Sequence, residues 1–301
     1  MSQLIVIAGP TASGKTALAI QLAKHFKCDI ISADSRQFFK EMTIGTAKPT
    51  KEELAEIPHH FINNLSIHQN IDIGEYTQSV NSFLENYFRK NEFVILVGGS
   101  GLYIDAVLFG LDEQPGSDAS IREALEQQFL KEGIESLQNE LQKIDPEYFE
   151  KVDINNPHRL MRAIEVFRIS GKPYSSFRSG KKLNNHYKTH LFCLDLPREI
   201  LYNRINERVD KMMENGLENE AKDLFPLKHL QALQTVGYKE LFDYFENKTD
   251  KKTAIELIKQ NTRRYAKRQL TWFRKNKDYV WINPLREEGF SEIIKLINAI
   301  K

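Results

Sequence analysis

The stretch Gly9-Pro-Thr-Ala-Ser-Gly-Lys-Thr16 decides the fold that this sequence predicts. It follows the apolar run of residues 4–8 and precedes residues 17–23, whose alanines and leucines favour a helix. A buried strand, a glycine-bounded loop and a helix start in this order form a phosphate-binding loop, or P-loop, in which backbone N–H groups and the helix N-terminus surround a phosphate. We therefore predict an α/β fold, with a P-loop NTPase-like parallel sheet that is flanked by helices.

The residues of this loop form the predicted diphosphate-binding site. They are Gly9, Pro10, Thr11, Ala12, Ser13, Gly14, Lys15 and Thr16. Lys15 is expected to neutralise the outer phosphate. The hydroxyl of Thr16 is expected to bind Mg²⁺, which is the cofactor that we predict.

The composition sets limits on size, partners and location. With 301 residues, the chain has room for one large domain with an insertion, or for two domains. Its net charge is only +1, so a nucleic-acid partner would have to bind a local basic surface. Cys28 and Cys193 are the only cysteines and lack the spacing of a zinc site, which favours a reducing cytoplasm. We find neither a signal peptide nor a run of ~18 apolar residues, so we expect no membrane span.

Further strand ends are expected beside the P-loop. The stretches that predict strands are residues 28–33, 59–63 and 93–97. Asp34 follows the first of them, and Gly98-Gly-Ser-Gly101 follows the last. In an open parallel sheet, ligands bind beyond the carboxyl ends of the strands. Asp34 and Ser100 are therefore candidate site residues, although a plain turn explains the glycine-rich stretch equally well.

The composition changes at about residue 111, where a turn-rich linker begins. Helical patterns follow, and the last of them, from about residue 157 to residue 170, presents His158, Arg159 and Arg162 along one side. We therefore predict a P-loop core of residues 1–111 and 187–301, and a small helical insertion of residues 112–186.

Arg204 and Arg208 lie four residues apart in a predicted helix, which places both guanidinium groups on one face. Phosphate-transfer enzymes use arginines of this kind to neutralise charge in the transition state. A solvated helix face with ion pairs to Glu207 or Asp210 explains the same pattern. Position alone does not favour either interpretation.

Residues 257–277 contain no acidic residue and are rich in basic ones. The basic residues are Lys259, Arg263, Arg264, Lys267, Arg268, Arg274, Lys275 and Lys277, and the aromatic residues Tyr265, Trp272 and Phe273 are interleaved with them. A basic helix of this kind is typical of a surface that binds nucleic-acid phosphates. The alternative is a solvated face, which most charge runs form.

These motifs together resemble the tRNA dimethylallyltransferase family, also called the tRNA isopentenyltransferase family, over essentially the whole chain. The matching stretches are residues 9–16, 34–37, 44–49, 98–103, 156–163, 208–210, 216–217, 234–239 and 266–273. Two cysteines are too few for the zinc finger of eukaryotic relatives, so the resemblance is to the bacterial type. Phe39 and Thr43 stand where the family often has Tyr and Asp, which affects only the expected packing of their loop.

Members of that family transfer a dimethylallyl group from dimethylallyl diphosphate to N6 of the adenosine immediately 3′ of the anticodon in tRNA, and they release diphosphate. The resemblance implies three catalytic residues. Asp34 accepts the N6 proton, and Arg208 neutralises the leaving group. Ser100 stands where the family usually has Thr, and its hydroxyl bonds the base or Asp34. The implied tRNA contacts are Asp34, Ser35, Arg36, Gln37, Ser100, Arg122, His158, Arg159, Leu160, Met161, Arg162, Lys267 and Arg268. The insertion is expected to hold the anticodon stem-loop, and we expect a monomer.

Two other functions remain open on the sequence. A P-loop small-molecule kinase would bind ATP in the same loop, but it would not need the basic segment with its aromatic residues. A non-catalytic RNA-binding module would keep that segment, and Asp34 would then have no role as a base.

Overall fold

The computed structural model describes residues 2–69, 71–178, 186–286 and 288–299. Its contacts divide the chain into two compact units. The first comprises Met1–Leu108 and Asn184–Lys301, and the second comprises Phe109–Leu183. The boundaries expected from the sequence, after residues 111 and 186, lie a few residues beyond these.

Within the described residues, six parallel strands form the sheet of the first unit. They are β1 (Gln3–Ala8), β2 (Ile30–Ser32), β3 (His59–His60), β4 (Phe93–Gly98), β5 (Lys188–Leu194) and β6 (Val280–Ile282), in the order β3-β2-β4-β1-β5-β6. The predicted parallel α/β sheet is thus confirmed. The third strand is shorter than predicted because Phe61 and Asn63 have positive φ angles of 62° and 55°, which interrupt an extended backbone.

Helices connect these strands, and four of those described build the second unit. In chain order the helices are α1 (Lys15–Phe26), α2 (Lys51–Glu56), α3 (Ile73–Tyr87), α4 (Gly101–Phe109), α5 (Ala119–Glu132), α6 (Ile134–Ile144), α7 (Pro146–Phe149), α8 (Pro157–Ser170), α9 (Arg198–Glu214), α10 (Leu217–Leu224), α11 (Tyr238–Phe245), α12 (Lys251–Phe273) and α13 (Gly289–Ala299). Short 3₁₀ helices lie at Tyr174–Phe177, Phe225–Leu227 and Gln231–Leu233. Among the helices of the described ranges, none has the length and apolar character of a membrane span.

The central strands hold the site residues in register. The side chains of β1 from Leu4 to Ile7 are all 0% exposed, as expected for a parallel strand whose two faces are both covered. Ala8 at the end of β1 lies opposite Gly98 of β4, and Ser32 at the end of β2 lies opposite Val97. The P-loop, the segment after β2 and the glycine-rich exit of β4 therefore emerge side by side at one edge of the sheet.

The second unit has its own apolar core, formed by α5, α6 and α8. Leu125, Leu141 and Leu160 are 0% exposed there, and Met161 is 4% exposed. The contact of Leu160 and Met161 with tRNA stays a prediction, and their buried side chains would leave such a contact to the backbone of α8. These side chains stabilise the helical unit through apolar burial. Asp118 caps α5, because its side chain accepts hydrogen bonds from the N–H groups of Ser120 and Ile121.

Candidate active site

The P-loop connects β1 to α1, as the sequence predicts. Gly9 and Gly14 have φ angles of +146° and +92°, which L side chains rarely adopt, and a Cβ atom on Gly9 would lie 3.1 Å from the carbonyl oxygen of Leu194. The loop conformation therefore requires glycine at both positions. Ser13 Oγ is buried and has no hydrogen-bond partner within the described part of the chain. A buried hydroxyl of this kind is costly unless a ligand completes its hydrogen bonding.

Lys15 begins α1, and its ammonium group donates a hydrogen bond of 2.6 Å to the carbonyl oxygen of Pro10. Burial and the positive charge of Arg208 lower the pKa of Lys15 to about 8. Asp34 acts in the opposite direction and raises that pKa. A bound diphosphate would stabilise the charged form of Lys15, because it would place negative charge beside the ammonium group.

Arg208 reaches the P-loop from α9. Its guanidinium group donates to the hydroxyl of Thr11 and to the carbonyl oxygen of Ala47, both at 3.3 Å. Burial lowers the pKa of Arg208. Asp210, which the alternative interpretation paired with an arginine, binds Lys259 at 2.8 Å instead. Arg208 therefore belongs to the P-loop site and not to a solvated helix face.

The P-loop borders a cavity of about 540 Å³ within the first unit. Its polar lining includes Thr11, Lys15, Thr16, Asp34, Ser35, Arg36, Gln37, Arg208, Tyr265, Arg268 and Gln269. Its apolar lining includes Ile205, Val209, Met212, Leu217, Val236 and Ile258. The cavity thus offers cationic and hydroxyl groups for a diphosphate and a hydrocarbon surface for an apolar group. Arg204 is not among the lining residues.

Asp34 lies two residues after β2, at the same sheet edge as the P-loop. Its Oδ1 accepts a hydrogen bond of 3.0 Å from the backbone N–H of Arg36, which orients the carboxylate. Ser100, which follows β4, accepts a hydrogen bond of 3.4 Å from the backbone N–H of Ser35. The structure therefore brings the two predicted residues together, with the Ser100 hydroxyl on the peptide that follows Asp34.

Tyr265 of α12 belongs to the same group of residues. It lines the cavity and forms a side-chain hydrogen bond with Ser100. Burial, followed by the charge of Asp34, raises the pKa of Tyr265 to about 12, so the phenol stays protonated at neutral pH. The sequence marked Tyr265 only as an aromatic residue among basic ones, because nothing in its local pattern shows that it faces Asp34.

Arg36 and Gln37 fix the segments around the cavity. Arg36 donates from Nη1 to the carbonyl oxygens of Gln231 and Ala232 at 3.3 and 3.1 Å. Gln37 donates from Nε2 to two carbonyl oxygens of the loop at residues 46–47, both at 3.3 Å. Both side chains also line the cavity, so they shape its wall in addition to any contact with a substrate.

Glu220 of α10 anchors the loop at residues 43–47 and was not found from the sequence. Its carboxylate accepts hydrogen bonds from the backbone N–H groups of residues 43, 44 and 45 at 3.0, 2.8 and 3.0 Å. It also accepts a hydrogen bond of 2.6 Å from the hydroxyl of Tyr238. Each of the loop bonds joins residues at least 175 positions apart, so no local motif reveals this role.

The basic segment is less positively charged on its surface than its sequence suggests. Lys259 pairs with Asp210 of α9 at 2.8 Å, and Arg274 pairs with Asp195 at 3.2 Å. Acidic residues from other elements therefore neutralise part of the positive charge of this segment, which contains no acidic residue itself. The exposed basic side chains of this region are Arg264, Lys267, Arg268, Lys275 and Lys277, together with Arg274, whose charge is paired with Asp195.

The predicted basic side chains of the second unit differ in exposure. His158 and Arg159, at the start of α8, are exposed, whereas Arg122 of α5 is half-buried. Arg162 pairs with Glu165 at 2.9 Å and donates to the carbonyl oxygen of Pro115 at 2.7 Å. Arg162 thus ties α8 to the linker before α5, a structural role that its sequence position did not indicate.

A P-loop, a carboxylate two residues after β2 and an apolar cavity wall lie together in an α/β protein of the P-loop class. The model of the IPP transferase family matches residues 37–276. The chain belongs to this family.

Named relatives agree with the family assignment. The chain is 53% identical over 289 residues to the tRNA dimethylallyltransferase of Flavobacterium johnsoniae, with 94% of each chain covered. Its sequence is 34% identical to that of the tRNA isopentenylpyrophosphate transferase from Bacillus halodurans. The crystal structure of that protein matches with a TM-score of 0.72, over 100% of this chain and 96% of that chain. Crystallographic snapshots of a eukaryotic dimethylallyltransferase acting on tRNA match with 27% identity and a TM-score of 0.81, over 99% of this chain and 79% of that one. The resemblance inferred from the motifs is thus confirmed.

Proposed function

We propose that this protein is a Mg²⁺-dependent tRNA dimethylallyltransferase, which transfers the dimethylallyl group of dimethylallyl diphosphate to N6 of the adenosine 3′ of the anticodon. The observation that carries the proposal is the cavity in which the P-loop, Asp34 and an apolar wall meet. The names of the relatives support the same reaction.

The donor diphosphate is proposed to bind the P-loop beside Lys15 and Arg208. Lys15 bonds the carbonyl oxygen of Pro10, and Arg208 bonds the hydroxyl of Thr11. Burial lowers the pKa of both side chains and so disfavours their charged forms. A diphosphate would compensate these buried charges, and both cations would then stabilise the negative charge that develops as the diphosphate leaves. The apolar wall of the cavity gives the five-carbon allylic group a surface that excludes water.

Thr16 is proposed to hold Mg²⁺, because it lines the cavity beside the P-loop and carries a hydroxyl. No group of three or more His, Cys, Asp or Glu side chains in the described ranges could form a separate metal site. Mg²⁺ commonly binds one or two protein oxygens together with phosphate oxygens and water, so the residues present fit this ion. When bound, Mg²⁺ would lend positive charge to the departing diphosphate.

Asp34 is the proposed general base. N6 of the adenosine forms a bond to the allylic C1, the bond between C1 and the diphosphate oxygen breaks, and the N6 proton passes to the Asp34 carboxylate. The N–H of Arg36 already orients that carboxylate. The Ser100 hydroxyl accepts from the N–H of Ser35, the residue after Asp34, and Tyr265 bonds Ser100. Both hydroxyls are proposed to position the purine.

The acceptor adenine must leave its stack in the RNA loop to reach this cavity, which costs less for a loop base than for a paired base. Ser35, Arg36 and Gln37 line the cavity that would receive it. The other proposed tRNA contacts are Ser100, Arg122, His158, Arg159, Arg162, Lys267 and Arg268. We propose a monomer that acts on tRNA in the cytoplasm.

The test is to incubate the protein with Mg²⁺, dimethylallyl diphosphate labelled in the allylic group, and unmodified tRNA, and then to identify the labelled nucleoside by mass. We expect N6-dimethylallyladenosine. A control tRNA with guanosine at the target position has no N6 amine and should stay unlabelled. Unlabelled RNA together with ATP-dependent phosphorylation of a metabolite would show a kinase, and tight RNA binding without transfer would show a binding module.

A further inference from the structure

Gln269 is a polar side chain on the buried face of α12, which it shares with Ala266 and Phe273. It is only 6% exposed. Its Oε1 accepts a hydrogen bond from the backbone N–H of Thr11, and its Nε2 donates one to the carbonyl oxygen of Gly99, both at 2.9 Å. One side chain thus joins the P-loop after β1 to the glycine-rich exit of β4.

The surroundings of Gln269 are matched to this amide. A Cβ atom on Gly99 would lie 2.2 Å from Nε2, so the amide fits only because residue 99 is glycine. Thr11 is held from two sides, since its N–H binds Gln269 and its hydroxyl accepts from Arg208 at 3.3 Å. The Thr11 peptide N–H is therefore held by a side chain of α12, and the Thr11 side chain is held by one of α9.

We propose that Gln269 is a positioning residue for the donor diphosphate, because it fixes the Thr11 peptide and so orders the P-loop for binding. The inference rests on the proposed function, in which the diphosphate occupies this loop. An amide both accepts and donates hydrogen bonds. At neutral pH an ionised Glu can accept from Thr11 but repels the carbonyl oxygen of Gly99, and Met can make neither bond.

The first test compares Gln269→Glu with Gln260→Glu. Gln260 is exposed on the same helix, so this control makes the same change of charge without disturbing the P-loop. We expect Gln269→Glu to raise the KM for dimethylallyl diphosphate about 10- to 100-fold, the range for a buried polar group left without its partner. The Kd for tRNA should stay within about twofold of the Gln260→Glu value. Equal losses of donor and tRNA affinity would show a folding defect and overturn the inference.

The second test uses pH to restore the missing donor. A protonated Glu at position 269 can donate to Gly99 while it accepts from Thr11, and burial raises the pKa of such a carboxyl. Donor kcat/KM of Gln269→Glu, divided by the wild-type value, should therefore rise several-fold from about pH 8 to about pH 6. The ratio for Gln269→Met should stay constant. Lys15, Asp34, Arg208 and Arg268 line the cavity in all three proteins. The negative charge of an ionised Glu at position 269 would raise the pKa of Lys15 and make the ratio fall towards pH 6, so a rise towards pH 6 reports protonation of the new carboxyl.

The two possible failures can be told apart. A wild-type protein that transfers no prenyl group to tRNA contradicts the proposed function. A wild-type protein that transfers normally, with Gln269→Glu indistinguishable from Gln260→Glu or with a ratio that does not change with pH, contradicts the role of Gln269 alone.

Discussion

Replacing Arg208 by Gln removes a positive charge from the P-loop. The native guanidinium group donates to the Thr11 hydroxyl and to the carbonyl oxygen of Ala47, both at 3.3 Å. The shorter Gln side chain carries no charge, so it cannot stabilise the negative charge on the departing diphosphate. Loss of one such group typically lowers kcat by a factor of about 10² to 10³, and we expect a loss of that size.

The same substitution changes the pH dependence through Lys15. Burial, and then the charge of Arg208, lower the pKa of Lys15 to about 8. In the free enzyme, Lys15 is charged below that pH and loses its proton above it, so donor kcat/KM should fall as the pH rises through the pKa. Without the neighbouring positive charge the pKa of Lys15 rises, and the alkaline limb of the profile should move to higher pH.

The assay is steady-state kinetics with saturating tRNA and varied dimethylallyl diphosphate, from about pH 6 to about pH 10, for the wild type, Arg208→Gln and Arg198→Gln. Arg198 begins α9, is exposed and does not line the cavity, so its variant should stay close to the wild type. Arg204 is not used as the control, because its Nη1 would lie 4.0 Å from a Cβ atom on Gly14 of the P-loop. A wild-type kcat for Arg208→Gln, or an alkaline limb that coincides with that of the wild type, would contradict the role of Arg208.

Three further predictions concern other parts of the chain. Glu220→Gln removes the charge from a carboxylate that accepts three backbone N–H bonds, so it should cost about 1 to 3 kcal/mol in denaturant unfolding and raise the donor KM. The control Glu218→Gln removes only an ion pair with Lys251 at the surface and should change little. Lys267→Gln should weaken tRNA binding and reduce the slope of log K against log salt concentration by about 1, while the donor KM stays unchanged. An unaltered slope would show that Lys267 does not contact tRNA. Leu160→Ala should destabilise the chain by about 2 to 5 kcal/mol, because the Leu160 side chain is 0% exposed. The control Leu130→Ala should be nearly neutral, because Leu130 is 74% exposed. Similar unfolding curves for the two variants would contradict a core role for Leu160.

The part of the site that could be predicted is the part whose determinants are local. Gly9 and Gly14 are required by positive φ angles within the loop itself, and the strand before it and the helix after it have clear patterns. Asp34 follows a strand end, and the ends of parallel strands meet at one edge, so its place beside the P-loop follows from topology. The same topology placed Ser100 nearby.

The parts that could not be predicted depend on contacts between distant segments. Gln269 lies in a stretch that the sequence marked as basic, and its one local signal is an amide at a position of the apolar face of α12. Lys259 and Arg274 looked like free positive charges because the acids that bind them, Asp210 and Asp195, come from other elements. Counting charges along a segment therefore overestimated the positive charge available to an RNA.

The most direct test of the whole account is the single-turnover rate of prenyl transfer by Asp34→Asn. Asn keeps the size of the side chain and an oxygen for the N–H of Arg36, but it cannot take a proton from N6. We predict that the transfer rate falls by a factor of about 10² to 10⁴, while donor and tRNA binding stay close to wild type. Transfer at the wild-type rate by Asp34→Asn would contradict the assignment of Asp34 as the base that activates the purine.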